Sequence, residues 1–384
     1  MANSEIRWIP LGEFIEPYNV RCGNPDAIVS GVNINKEFMR SHANLETTDI
    51  SAYYSVPPKY FASNLMHIGR DERIPIAYND TNKEIVVTSA YSVFRVKEDK
   101  HQEILEEYLF LFFNSKEIDR LAWFYTDGSV RGNLQEKRLF GMQIPVPFVS
   151  GKPSIARQKE VVETWRCFKR MKRQNEDLTE PLFQLCRSYI ENLKAKVTPS
   201  AIGEYIETVD VRNSSGDDLP VMGINKDKSF MPTVANLETV DTQKYKIVSK
   251  GQFAFSGMQT GRDECIRIAL HAEDTDLLIS PAYTVFQIKK DKKDKLLPEF
   301  LLLFFKRTEI DRLGWFLSDS SVRSNLDWPR FCSILLPIPD IDTQRAIVNI
   351  YHCAEECRRI AAEADALSQT ISPALMQHVI HEHN

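Results

Sequence analysis

Four arginines in this chain stand in settings suited to gripping an anion or the edge of a base. Arg70 and Arg262 each occupy the run Gly-Arg-Asp-Glu, at Gly69–Glu72 and Gly261–Glu264. Arg131 and Arg323 each occupy Ser-Val-Arg-x-Asn-Leu, at Ser129–Leu134 and Ser321–Leu326. A guanidinium is a planar fork of donors that fits phosphate or guanine, and an asparagine amide fits adenine. That chemistry recognises and does not react. A structural reading competes with it. The arginine can pair with its own aspartate in a glycine-led turn, and the polar run can pin a helix to the domain edge. Both readings stand at this level.

Residues that would make or break bonds do not assemble. The chain contains no Gly-x-Gly, so it lacks the dinucleotide fingerprint, and it contains no phosphate loop ending in Gly-Lys-Ser/Thr. It has no Asn-Pro-Pro-aromatic or Asp-Pro-Pro-aromatic run to hold a flipped adenine, and neither His-Glu-x-x-His nor Gly-x-Ser-x-Gly. Asp340 with Asp342 lacks the lysine of a nuclease cluster and reads as helix capping. No metal site is expected. Cys353 and Cys357 are a single helical turn apart, and His378, His381 and His383 read as a frayed polar tail.

The recognition motifs come in pairs because the chain repeats itself. Ala43-Asn44-Leu45-Glu46-Thr47 returns as Ala235–Thr239, and Glu117-Ile118-Asp119-Arg120-Leu121 as Glu309–Leu313, each 192 positions on. From Ala43 to Pro147 the copies align without a gap, and about 45 of these 105 positions are identical. A repeat this long is a whole domain, well beyond solenoid periods. A duplicated domain makes a pseudo-dimer, which suits a two-fold target such as duplex DNA. The candidate DNA-contacting residues are Lys59, Arg70, Arg73, Arg131 and Asn133 in the first copy. In the second they are Lys250, Gln259, Arg262, Arg267, Arg323 and Asn325.

Composition is that of a soluble globular protein of two or three domains: 384 residues, 43% hydrophobic and 26% charged. The net charge of -5 runs against a simple nucleic-acid binder, although a basic face can sit on an acidic protein. The basic stretches Arg166–Arg173 and Lys289–Lys295 read as ordinary solvated surface. No apolar run is long enough to span a membrane. Seven cysteines without a Cys-x-x-Cys pair, and a start unlike a signal peptide, lead to the expectation of a cytoplasmic protein with reduced thiols.

The motifs must be positioned by mixed elements. Ile85–Thr88 and Tyr91–Val96, with Leu277–Ser280 and Tyr283–Ile288, read as strands. Glu106–Phe113 and Glu117–Phe124, with Glu299–Phe305 and Glu309–Phe316, have helical spacing. Ile144-Pro145-Val146-Pro147 and Leu336-Pro337-Ile338-Pro339 read as edge strands or extended exits. A long helix then follows each copy. Ser154 is the expected N-cap of one running toward Lys196, and Asp342 of one running toward His378. The first carries the stripe Val161, Trp165, Phe168, then Leu178, Leu182, Leu185 and Tyr189, interrupted by the charged segment Lys169–Asp177. The second carries Ile347, Ile350, Tyr351 and Ala354, then Leu367, Ile371 and Leu375. Pro181 and Pro373 should kink or restart them. The expected fold is α+β: two homologous recognition domains (1–150 and 197–340) joined by long helices (151–196 and 341–384). The helices are expected to lie antiparallel as a coiled-coil-like bar with pseudo-two-fold symmetry.

The chain resembles the specificity subunits of type I restriction–modification systems. The resemblance rests on Ile279-Ser280-Pro281-Ala282-Tyr283-Thr284-Val285-Phe286 and on Trp315–Leu326, then Leu336-Pro337-Ile338-Pro339 and Thr343-Gln344-Arg345 opening a helix. The first copy matches, with Arg157-Gln158 opening its helix, and the order domain, helix, domain, helix covers essentially the whole chain. The resemblance implies a non-catalytic subunit that reads a bipartite double-stranded DNA site, one half per domain. It implies helices that set the gap and dock two methyltransferase subunits, with restriction/translocase subunits as further partners and no membrane. Lys172 and Arg173 are candidate partner contacts. S-adenosylmethionine, ATP and Mg would belong to the partner subunits, with no cofactor on this chain. The likeness of the copies adds the expectation of a near-palindromic target. Departures should trace to the divergent stretches around His67 and Gln259, Pro57–Tyr60 and Ser249–Gln252, and Gln135–Lys137 and Asp327–Pro329. The alternatives are a specificity subunit of a related modification or defence system, a free-standing bipartite DNA-binding protein, and a scaffold that never touches DNA.

Overall fold

The structure is a computed structural model that describes residues 4–24, 27–41, 50–66, 68–129, 132–193, 195–233, 240–258, 260–319 and 324–381. The chain forms two compact units, Met1–Gln174 with Ile360–Asn384, and Asn175–Arg359. Its helices are α1 (Ile68–Asp71), α2 (Glu106–Phe113), α3 (Lys116–Phe124), α4 (Glu136–Phe140), α5 (Ile155–Leu193), α6 (Thr260–Asp263), α7 (Pro298–Phe305), α8 (Thr308–Leu317), α9 (Trp328–Cys332) and α10 (Ile341–His381). The fold is α+β. Each unit takes in a part of both α5 and α10.

In the first unit one sheet runs in the order Ile15–Pro17, Ser92–Val96, Phe61–Ser63, Ile76–Tyr78. A second runs Phe38–Arg40, Ile28–Val32, Ile85–Val87, Tyr54–Val56, with Ile28–Val32 and Ile85–Val87 parallel. Successive strand residues face opposite ways, so Val93 enters the small core with Val56, Ala62 and Val87, while Phe94 enters the main core with Phe61, Tyr108 and Phe113. That strand therefore buries side chains on both faces, Val93 on one and Phe94 and Val96 on the other. The second unit repeats the plan. Val285 and Phe286 divide in the same way, and Phe253 stacks on Phe286 at 4.9 Å as Phe61 stacks on Phe94 at 5.2 Å.

Two polar fixtures recur at the repeat positions. Lys36 reaches across 83 residues to Asp119 at 2.7 Å, and Asp119 also accepts from the Ile74 amide. Lys228 pairs with Asp311 at 2.5 Å, and Asp311 accepts from the Ile266 amide. Both lysines are buried, with φ of 65° and 61°, and burial pushes the Lys36 amine below its ordinary pKa against the pull of Asp119. Gln158 and Gln344, also buried, join the start of each long helix to the domain body. Gln158 bonds Leu105 N and Glu103 O, and Gln344 bonds Leu297 N and Lys295 O.

Within each unit the parts of α5 and α10 run antiparallel. In the first, Val161, Val162 and Trp165 share a core with Met376 and Val379, and Lys172 pairs with Asp365. In the second, Phe183 meets Tyr351 at 5.3 Å, and the Cys186 thiol donates to the Ile347 carbonyl.

Several expectations give way. The N-cap of α10 is Asp340, which accepts from Thr343 N at 2.9 Å; Asp342 lies inside the helix. Those bonds hold the Asp340 carboxyl below its ordinary pKa. Pro181 and Pro373 fall inside uninterrupted helices, so neither restarts one; tertiary packing outweighs the lost bond. The apolar stripe of α5 changes phase in the second unit. Leu178, Leu185 and Tyr189 are exposed, and Cys186, Ile190 and Leu193 face inward instead. The histidine-rich end is no frayed tail through His381, since α10 runs that far and buries Met376 and Val379. The proline-rich segment Gln143–Val149 lies between Ser4–Pro10 and Lys152–Pro153. It tolerates its prolines because the outer strand pairs only with Phe148 and Val149. The Pro145 and Pro147 carbonyls, which point away from Ser4–Pro10, accept from Tyr108 Oη and Ser154 N. In an antiparallel strand N–H and C=O of a residue face the same side, so the missing donors cost no bond to Ser4–Pro10.

Candidate nucleic-acid interface

The second unit brings its two arginine motifs together. Gly261-Arg262-Asp263 forms the short helix α6, and Glu264 ends it at φ 52°. Of the motif Ser-Val-Arg-Ser-Asn-Leu after α8, Ser324–Leu326 are described, and Asn325 is tied back to the end of α8: Asp319 N donates to Asn325 O and Asp319 Oδ1 accepts from Asn325 N. Helix α6 and Ser324–Leu326 are in direct contact. Gly261 N donates to Ser324 O, Leu326 N donates to Gly257 O, and a Cβ on Gly261 would come within 2.3 Å of Ser324 Cβ. Glycine is required there by crowding, which explains the motif's first residue.

The first unit matches this wherever it is described. α1 ends in Glu72 at φ 51°. Asp127 pairs with Asn133 through backbone and side chain, and Leu134 N donates to Leu65 O. Bonds from Ser129 and Asn133 hold the Asp127 carboxyl below its ordinary pKa. Gly132 and Ser324 hold equivalent positive φ values, 57° and 47°.

The candidates are placed as follows. Arg262 is 58% exposed and pairs with Asp263, as the structural reading of the motif anticipated. Arg267 pairs with the same carboxylate. Burial works to raise the Asp263 carboxyl, but its two arginine partners outweigh that and hold it below the ordinary value. Arg70 lies in α1, and Arg73 follows it, exposed. Asn133 is half-buried with its Oδ1 enclosed and unbonded, and Asn325 is half-buried too. Arg131, Gln259 and Arg323 lie outside the described residues, as do His67, Ala43–Thr47 and Ala235–Thr239. Lys59 and Lys250 occupy the turns that precede Phe61–Ser63 and Phe253–Ser256, whereas α1 and α6 follow those strands. They therefore stand at the far end of a strand from the arginine motifs. Lys59 is exposed at φ 71°, and Lys250 is held by Asp274 at 2.7 Å, which raises its pKa. Of the two partner candidates, Arg173 is exposed, whereas Lys172 is largely buried and paired with Asp365.

One pair of residues escaped the motif reading. Trp123 and Phe124 are 49% and 77% exposed, and their equivalents Trp315 and Phe316 are 52% and 84% exposed. Helical spacing over Glu117–Phe124 and Glu309–Phe316 identifies the helices without saying which apolar residues face inward. The buried residues of α3 are Ile118 and Ala122. At 100° per residue, Phe124 lies well off that face, so the signal was present in the spacing.

Among the described residues no cluster of histidine, cysteine, aspartate and glutamate can hold a metal ion, and no helix is long and apolar enough to cross a membrane.

No protein-family model and no curated protein matches the chain. Solved structures do. The chain is similar to the S subunit of a type I restriction–modification system from M. genitalium, at 11% identity and a TM-score of 0.57, over 98% of this chain and 96% of that one. It also aligns with the HsdS subunit from Thermoanaerobacter tengcongensis, at 14% identity and a TM-score of 0.45, over 99% and 97% of the two chains. The first of these carries the comparison: the fold is that of an S subunit along nearly its whole length.

Proposed function

We propose that this chain is the specificity subunit of a type I restriction–modification complex, binding duplex DNA at a bipartite site with one half read by each unit. The observation that supports this most is the likeness of fold, which takes in both repeats and both long helices. The paired arginine motifs agree with it, since the bonds from Leu134 to Leu65 and from Leu326 to Gly257, and those joining Asp127 to Asn133 and Asp319 to Asn325, recur in each unit. The chain itself performs no bond chemistry in this reading. Methyl transfer from S-adenosylmethionine, and ATP- and Mg-dependent cleavage, belong to partner subunits in a cytoplasmic complex.

The exposed residues Leu178, Leu185 and Tyr189 on α5 support docking of methyltransferase subunits, because soluble monomers seldom leave such a row uncovered. The pseudo-two-fold repeat of the chain implies two copies. The near-identity of the motif clusters supports half-sites of similar sequence in inverted orientation, hence a near-palindromic target.

Co-expression with the methyltransferase subunit, followed by mapping of methylated adenines on host DNA, tests the reading. The expected result is a two-to-one complex and a split, near-palindromic motif. A chain that purifies alone and leaves the methylation pattern unchanged on deletion rules it out. Half-sites that share no bases would remove the palindrome and leave the rest standing.

A further inference from the structure

The exposed Trp–Phe pair at the end of α3 and α8 has no role in either core. Fewer than half of the aligned positions are identical between the repeats, yet both rings are kept, and kept exposed. Their neighbours changed: Ala122 faces Gly314, and Tyr125 faces Leu317. An uncovered phenylalanine gains nothing from folding, so its retention in both copies calls for something that covers it.

The site is built. Trp315 lies against α6 so closely that a Cβ on Gly261 would meet its Cδ1 at 3.1 Å. The indole is thereby seated against Gly261 of α6, and the exposed Phe316 follows it in sequence. In the first unit Phe124 is braced edge-on by Tyr125 at 5.3 Å. Arg312 stands one turn before Phe316 and lines the same shallow hollow, with Glu309, Leu313 and Trp315. Arg120 holds that place in α3, 73% exposed and paired with Glu117 at 2.8 Å, a surface pair that a phosphate can displace. Arg330 donates to the Leu317 carbonyl and Arg138 to those of Tyr125 and Thr126, adding a cation at each helix end.

Size and charge decide the occupant. Two aromatic rings present at most about 300–500 Å², well short of the ~800 Å² per side of a stable protein interface. Arginines flanking an aromatic ring match a nucleic acid, in which phosphates flank stackable bases. We propose that Phe124 and Phe316 are aromatic wedges that enter against an unstacked base step, one in each half-site. Trp123 and Trp315 support them, and Arg120 and Arg312 meet the adjoining phosphates. This rests on the DNA-binding reading above and adds a contact made through the base step itself.

The test uses the full chain with its co-purified partners, a duplex carrying the mapped methylation motif, and 2-aminopurine placed along each half-site. Alanine at positions this exposed leaves folding intact. Phe124→Ala and Phe316→Ala should each weaken binding roughly fivefold to 150-fold, the equivalent of ~1–3 kcal/mol per stacked base. Each should abolish the fluorescence change in its own half-site alone. Phe316→Leu, which keeps an apolar wedge, should restore part of both. Arg312→Ala should instead lower the salt dependence by about one phosphate contact. Unchanged affinity with unchanged 2-aminopurine signals overturns the wedge while leaving DNA binding in place. Loss of partner binding with DNA affinity retained makes the pair a protein contact and also overturns it. A wild-type complex that binds no duplex removes the DNA reading itself, and the wedge with it.

Discussion

The two units share a plan but begin differently. In the first, Ser4–Pro10 pairs along all seven residues of Gln143–Val149. In the second, the same position follows directly on α5, and only Ser200 and Ala201 pair, with Leu335 and Leu336. The consequence falls on a shared motif. Pro145 and Pro147 lie inside a strand, whereas Pro337 and Pro339 come after one has ended. An alternation of proline and aliphatic residue thus settles nothing by itself; a free partner strand makes it sheet. The cores differ in the same contextual way. Phe331 sits among Phe255, Phe286, Phe305 and Trp328, where the first unit has Leu139. Trp165 is buried against Phe110 in the first, while its counterpart at the start of α10, Tyr351, bonds Lys306 and Glu355.

The largest effect expected tests how alike the units are. Asp119→Ala and Asp311→Ala each strand a buried lysine, which should cost about 3–5 kcal/mol. Exchange of the Ile74 amide should rise in the first variant and of the Ile266 amide in the second, without crossover. If one variant is silent, the two buried pairs are not equivalent. Next comes a difference between the units. Gly257 stands where the first copy has Leu65, and a Cβ there would come within 1.8 Å of the Leu326 carbonyl oxygen. Gly257→Leu, a residue its twin tolerates, should therefore destabilise by about 1–3 kcal/mol or more in a denaturant titration. A neutral result would mean that the α6 cluster is free to move apart.

A smaller pair of changes concerns the helix starts. Gln158→Ala and Gln344→Ala leave buried backbone groups unbonded, at about 1–3 kcal/mol each. Gln344 should cost more, because it also bonds the Pro339 carbonyl. Equal melting shifts would show that this third bond contributes nothing. The smallest effect expected is from Pro145→Val: the change costs no bond to Ser4–Pro10, and only the buried, unbonded N–H it restores should destabilise, by about 1 kcal/mol. Val146→Pro should cost several times more, since that residue faces the paired strand. The reverse order would contradict the register described here.

Much of this was legible because it depended on local pattern. Strands announce themselves by β-branched and aromatic residues at Tyr91–Val96 and Tyr283–Ile288, and the helices beside them by spacing. The duplication told where each element would recur. What was not legible depended on distant neighbours. Lys36 and Lys228 look like surface lysines until their partners, 83 residues away, are known. Leu178, Leu185 and Tyr189 have perfectly good helical spacing, yet the packing of the second unit selects a different face. At the candidate interface the motifs were visible, but their contact was not, because Gly261 and Ser324 meet only through the fold. Exposure of Phe124 and Phe316 was readable in principle, from their phase against Ile118 and Ala122.

The first unit is not a continuous stretch of chain. Its core is finished by Met376 and Val379, which arrive more than 200 residues after Trp165, while the second unit is unbroken from Asn175 to Arg359. The part of the protein that begins first is therefore completed last. During synthesis Val161, Val162 and Trp165 must wait with that side of the core open, until the end of α10 is available to close it. A truncation near the C-terminus would injure the unit farthest from it in sequence and leave the intervening one whole.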